Sequence, residues 1–307
     1  MRAILDKIEG QIAQGLYLGA SLSVYRQGQW QSFYLGSQDG KQATGPDLVY
    51  DLASVSKVVG VATVMIQLLN AGQLELDAPL QAYLPDFADS AVTLRQLLTH
   101  TSGIDPYIPN RDSLDFEGLR QAILGIRVTE QKAFHYTDIN FILLGFLLEQ
   151  VLGQPLDQIF RERIFIPWQM SATSFGPRRE AVPTVAGVTD GEVHDPKAKV
   201  LGSHCGSAGL FSTLSDLQRF CQHYLRAPFA QDLWQNYGSV EKTRTLGWNL
   251  DGDWIDHTGY TGPFVMVNRS QQKAVIFLTN RTFAYDDRPL WIEKRRELRD
   301  VIKSALS

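Results

Sequence analysis

Cysteine is almost absent from this chain. Only Cys205 and Cys221 occur in its 307 residues, and they lack the paired spacing of a redox or zinc motif. A disulfide framework is therefore not expected, and both read as buried free thiols compatible with a reducing compartment. Long apolar runs are missing as well. The longest, FILLGFLL from Phe141 to Leu148, falls well short of the roughly 20 residues that cross a bilayer, so no membrane partner is expected. The first residues, MRAILDKIEGQIAQG, carry Asp6 and Glu9 where a signal peptide needs an apolar core, and read as an amphipathic helix. The expectation that follows is a cytoplasmic protein.

No charge of one sign predominates. The 29 basic and 33 acidic residues leave a net charge of -4, which argues against nucleic acid or an anionic membrane surface as partner and toward a small molecule. No Gly-x-Ser-x-Gly elbow is present, which closes the α/β-hydrolase route to a serine esterase. His194 and Asp195 are adjacent, but His135, His204 and His223 show no metal-ligand spacing with them, so neither a metal nor another cofactor is expected. Internal repeats and low-complexity linkers are also lacking.

What remains is a chain with 44% hydrophobic residues, enough for one large domain or two closely joined ones. ASLSVYRQGQWQSFYLG alternates polar and apolar residues around Gly28, which predicts a hairpin after the N-terminal helix. From Ser54 to about Arg226 the signals are mostly helical: SVSKVVGVATVMIQLLNAG, TLRQLLTH, SLDFEGLRQAILG and DINFILLGFLLEQVLG. Short β-rich stretches then return (TRTLGWNL, WIDHTGY, FVMVNRS, KAVIFLTN) before a charged helix, WIEKRRELRDVIKSAL. This order predicts an α+β fold: one antiparallel sheet drawn from 1–53 and 227–307, flanked by the terminal helices, with 54–226 as a mainly helical insertion. The two regions form one catalytic unit with its site in the cleft between them.

The pattern Ser-x-x-Lys occurs three times, as Ser54/Lys57, Ser239/Lys242 and Ser270/Lys273. Ser270 falls in a turn and Ser239 in a loop; only Ser54 opens a long apolar helix. Residues three apart on a helix lie about 5–6 Å apart at Cβ, so the Lys57 amine can reach the Ser54 hydroxyl. The free N–H groups of the helix start also favour negative charge there. On this motif alone two readings stand: a helix cap beside a solvated lysine, or a nucleophile beside its proton acceptor. Two further elements follow in order. FHYTDINFILLG sets Tyr136 and Asp138 before another apolar helix, and DHTGYTG sets His257, Thr258 and Gly259 on a strand ahead of PFVMVN.

With these three elements, and with LLTHTSGI and GSAGLFSTLSDLQRF between them, the chain resembles the penicillin-recognising serine hydrolases. The resemblance is to the group of class C β-lactamases, DD-peptidases and family VIII-type esterases, and runs from about residue 10 to 285. It implies the β-lactamase/transpeptidase-like fold and a serine hydrolase acting through an acyl-enzyme. Ser54 is then the nucleophile and Lys57 and Tyr136 the proton-handling pair. The N–H groups of Ser54 and Tyr260 form the oxyanion hole, and Asp138, His257, Thr258 and Gly259 contact the substrate. An ester, amide or peptide is the implied substrate, with esterase or D-amino-acid peptidase activity ahead of β-lactamase activity. A catalytically quiet ligand sensor is the rival reading.

Two positions depart from the group's usual pattern. Asp138 stands where Asn is usual, and a carboxylate there favours a charged Lys57 and hence Tyr136 as base. A neutral Lys57 would instead need its pKa lowered by about 3 units, roughly 4 kcal/mol. His257 stands where Lys is usual, and a mostly neutral imidazole holds a substrate carboxylate less firmly. His100 is expected to be structural, bonded to its neighbours Thr99, Thr101 and Ser102. Tyr285, Asp286 and Asp287 are expected to form a simple turn.

Overall fold

We describe residues 1–307 from a computed structural model. Nine strands follow in chain order: β1 (Gly19–Arg26), β2 (Gln29–Gly36), β3 (Val49–Asp51), β4 (Ser174–Phe175), β5 (Leu210–Thr213), β6 (Asn249–Asp251), β7 (Trp254–Thr258), β8 (Phe264–Asn268) and β9 (Lys273–Thr279). Six of them make one antiparallel sheet in the order β2-β1-β9-β8-β7-β6, so strands from both ends of the chain meet where β1 pairs with β9. The β1–β2 hairpin turns on Gln27 and Gly28, both at positive φ, the two-residue geometry whose twist matches that of the flanking strands.

The central strands are covered on both faces, which is why they read as unbroken apolar runs. Phe264, Met266, Val275 and Phe277 face the terminal helices Arg2–Ala13 and Arg288–Leu306, packing with Ile4, Ile8, Trp291, Leu298 and Ile302. The alternate residues, Val265, Val267, Ile276 and Leu278, join a larger core with Leu217 and Phe220 of the helix Leu214–Arg226. That core continues through the helical region and its small sheet, β3-β5-β4.

The segment that carries Ser54 is less regular than the long helix expected there. It opens as a 3-10 turn over Ala53–Val55, passes through a π-helical turn over Val58–Ala62, and becomes α-helical over Thr63–Asn70. Thr63 Oγ1 donates to the carbonyl of Val58, five residues back, at 2.7 Å, an added bond across the wide turn. A Cβ on Gly60 would fall 2.5 Å from the Phe160 ring, so glycine is what lets the helix approach that ring. By length and composition Ala53–Asn70 could span a bilayer, but 78% of it is buried inside the protein. It is the core helix of the fold.

The stretch Tyr285 to Asp287 is more than a turn. Asp287 caps the last helix by accepting the Leu290 N–H at 3.0 Å, while Asp286 reaches Tyr260 and Arg281. Both thiols are buried and free, as the cysteine spacing suggested.

Candidate active site

Ser54 enters a cleft of about 760 Å³ on a constrained turn. The preceding Ala53 has φ +45°, a left-handed conformation that a residue with a Cβ adopts at a cost. Asp51 holds it there. One of its carboxylate oxygens accepts the Ala53 N–H at 2.7 Å and the other accepts the His194 N–H at 2.7 Å. Burial pushes the Asp51 carboxyl up to about 6, against the pull of those two N–H donors.

Lys57 lies behind Ser54 with its side chain wholly out of solvent. Its Nζ donates to Ser54 Oγ at 2.8 Å, to Asp138 Oδ1 at 2.7 Å and to the Ser207 carbonyl at 2.9 Å. These three bonds use all the donors an ammonium has. Burial opposes the charge, but the Asp138 carboxylate, and after it Tyr136, raise Lys57 above its ordinary range, so it is a cation. Burial likewise works against the charge on Asp138, and Lys57 and Lys197 outweigh it, holding the carboxyl well below the usual range. Lys197 Nζ stands 3.0 Å from Asp138 Oδ2 and 3.6 Å from Asp195 Oδ2. The extra negative charge at Asp138 is thus shared between two lysines.

Tyr136 stands at the mouth of the cleft, 38% exposed, with Lys57 Nζ 5.3 Å from its ring centroid. His100 supports that ring from behind, centroid to centroid at 4.4 Å. His100 is wholly buried but does not bond the neighbours expected of it: its Nδ1 meets the Asn140 amide at 2.9 Å, its Nε2 has no partner, and Thr99 and Thr101 bond to each other instead. The left-handed backbone at His100 ends a helix and turns its ring away from those neighbours and toward Tyr136.

At the other side, β7 ends in His257 and Thr258, followed by Gly259 and Tyr260, all four lining the cleft. Burial, then the nearby Lys57 and Arg244 charges, hold His257 well below the ordinary imidazole range, so it is neutral. Its buried Nδ1 has no partner. The Tyr260 N–H makes no hydrogen bond within the chain, whereas its hydroxyl donates to Asp286 and its carbonyl accepts from Arg281.

The structure therefore brings Ser54, Lys57, Tyr136, Asp138, His257, Thr258, Gly259 and Tyr260 to one cleft. It leaves the serines of the other two Ser-x-x-Lys pairs out, although Lys242 itself lines the cleft: Ser239 Oγ accepts the Lys242 backbone N–H in a loop, and Ser270 bonds Asn268 in the β8–β9 turn. Sequence reasoning missed Asp51, Lys197, Ser207 and Asp286. Only Asp51 left a signal, as an acid within the apolar stretch just before the serine.

This fold and cleft define a class, the serine hydrolases built on an antiparallel sheet with a helical insertion. A family model described as Beta-lactamase matches residues 5–299, and the chain belongs to that family. It is an enzyme, a serine hydrolase of the β-lactamase-like kind. Over 313 residues it is 27% identical to a putative D-alanyl-D-alanine carboxypeptidase of Escherichia coli strain K12, covering 80% of this chain and 72% of the relative. The fold is similar to the crystal structure of a class C beta lactamase from Rhodobacter sphaeroides, with a TM-score of 0.79 at 20% identity over the whole of both chains. It is also similar to a hydrolase with promiscuous acyltransferase activity, with a TM-score of 0.77 at 18% identity over 98% of this chain and 97% of the other.

Proposed function

We propose that the protein cleaves an ester or amide through a covalent acyl-enzyme on Ser54. The observation that carries this reading is the 2.8 Å contact from Lys57 Nζ to Ser54 Oγ inside the cleft, with the lysine pinned as a cation by Asp138. A protonated lysine cannot take the serine proton, which leaves Tyr136 as the acceptor. Ser54 Oγ adds to the substrate carbonyl as its proton passes to the Tyr136 oxygen, which acts in this step as the phenolate beside the Lys57 ammonium. The N–H groups of Ser54 and Tyr260 hold the oxyanion, a contribution of about 3–4 kcal/mol per donor in comparable sites. Tyr136 then returns the proton to the departing oxygen or nitrogen as its bond to the acyl carbon breaks. Water repeats the sequence on the acyl-enzyme and frees Ser54.

Asp138, His257, Thr258 and Gly259 line the substrate side. Asp138, ionised, only accepts hydrogen bonds, so it suits an N–H of the substrate. A neutral His257 gives less grip on a carboxylate than a lysine would, which favours an ester or a D-amino-acid peptide over rapid β-lactam turnover. The similarity to a putative D-alanyl-D-alanine carboxypeptidase and to a hydrolase with promiscuous acyltransferase activity supports the same direction. Because the cleft draws residues from 1–53, 54–226 and 227–307, we read these regions as one catalytic unit.

The test is parallel incubation with a fluorescent penicillin, p-nitrophenyl esters and nitrocefin, followed by turnover and intact mass, with Ser54→Ala as control. Acylation or turnover that disappears in the variant supports the reading. No adduct and no turnover on any probe would favour the ligand sensor.

A further inference from the structure

The cleft is far more basic than the chain that builds it. Seven of its lining residues are Arg or Lys and two are Asp, in a chain of net charge -4. Three of the seven are compensated: Lys197 by Asp138 and Asp195, Arg281 by Asp286, and Arg111 by Asp112. Lys242, Arg244, Arg288 and Arg295 have no carboxylate at ion-pair distance, although Arg299 and Lys303 on the same C-terminal helix each have one. The side chains of Arg288 and Arg295 make no hydrogen bond and no ion pair within the chain. Arg244 is 2% exposed and bonded only to Asn249 and the Gly247 carbonyl, and its Nε has no partner.

Burial pushes Arg244 and Arg295 each down to about 10. Cations held this way, without a counter-charge, destabilise the free protein, and such an arrangement fits a site where the counter-charge arrives with a ligand. They also form two groups. The charged ends of Lys242 and Arg244 lie 5.8 and 5.5 Å from the centroid of the Phe134 ring. Those of Arg288 and Arg281 lie 5.6 and 4.7 Å from the centroid of the Tyr260 ring. A neutral substrate would leave both groups unmatched, and a single carboxylate would match one.

We propose that the substrate is an acyl compound with at least two anionic groups, carboxylate or phosphate, one met by Lys242 and Arg244 beside Phe134 and the other by Arg288, beside Tyr260, and Arg295, further along the same helix. This deepens the acyl-transfer reading and rests on it for the fate of the bound compound, while binding itself does not need the chemistry.

The experiment is calorimetric titration of the Ser54→Ala protein with acetate, glutarate, tricarballylate and inorganic phosphate, at low salt and at 0.5 M salt. The polyanions are expected to bind about tenfold or more tighter than acetate, the order of one added charge-assisted contact. That preference should shrink at high salt and be largely lost in Ser54→Ala proteins that also carry Arg288→Ala or Lys242→Ala. A preference for phosphate over the carboxylates, or the reverse, names which anion the site takes. Equal binding of acetate and polyanions, no saturable binding, or a preference unchanged in both variants would overturn the proposal. Acylation of the wild-type protein by p-nitrophenyl acetate is measured separately, so its absence alongside intact polyanion binding would count against the acyl-transfer reading and not against this one.

Discussion

Lys57 keeps its charge although buried because Asp138 stands 2.7 Å away, and Asp138 is held ionised in turn by Lys57 and by Lys197. Asp138→Asn removes the counter-charge while keeping the shape. Burial then dominates and draws the Lys57 pKa down, so the alkaline limb of the kcat profile should move to lower pH. Profiles of the two proteins on one p-nitrophenyl ester check this, and an unmoved limb would refute the coupling. Ser54, Lys57, Tyr136 and Asp138 were legible as candidates because they fall in short motifs that resemble those of a known family, and for Ser54 and Lys57 the helical spacing also puts the two side chains within reach. Lys197 and Asp286 could not be seen that way. Each meets its partner across a large separation in sequence, Lys197 facing Asp138 and Asp286 facing Tyr260, and nothing local distinguishes either from a surface charge.

Between residues and fold, the close approach of two backbones sets the third acceptor of Lys57. A Cβ on Gly206 would stand 2.2 Å from the Phe141 carbonyl oxygen and 3.1 Å from the Gly145 Cα, so only glycine lets the loop before Ser207 lie against the helix Ile139–Leu152. Gly206→Ala should cost about 1–3 kcal/mol of stability, the usual price of overpacking. By displacing the Ser207 carbonyl from Lys57 it should also lower kcat by up to about 10²-fold, with urea unfolding and steady-state kinetics as the two readouts. The strands were legible as elements because alternation and apolar runs report burial directly. The π-helical turn was not, because it coincides with packing against Phe160 and a hydrogen bond from Thr63, neither of which has a periodicity.

At the scale of the whole molecule, two buried imidazoles shape the response to acid. Burial holds both His100 and His257 well below their ordinary range, so below about pH 6.5 the unfolded chain binds protons that the folded protein refuses. Stability should fall as pH drops through that region, by about 1.4 kcal/mol per pH unit for each uncharged histidine. Asp51, raised to about 6, acts in the opposite sense: it favours the folded state progressively as pH falls from about 6 toward its unfolded value, and offsets part of the loss. Urea titrations from pH 7.5 to 5 should show the net decline, and His257→Gln should make it shallower. The order of strands, helices and strands already predicted one sheet built from both ends of the chain. Which helices cover which face was beyond it, since both faces are equally apolar.

The central claim is that a serine hydroxyl in this cleft becomes acylated. Incubation with a fluorescent penicillin or an activated ester, followed by intact mass and peptide mapping, tests it most directly. One acyl adduct is predicted, on the peptide that contains Ser54 and absent from Ser54→Ala. An adduct on another residue, or turnover that survives in Ser54→Ala, would contradict the account.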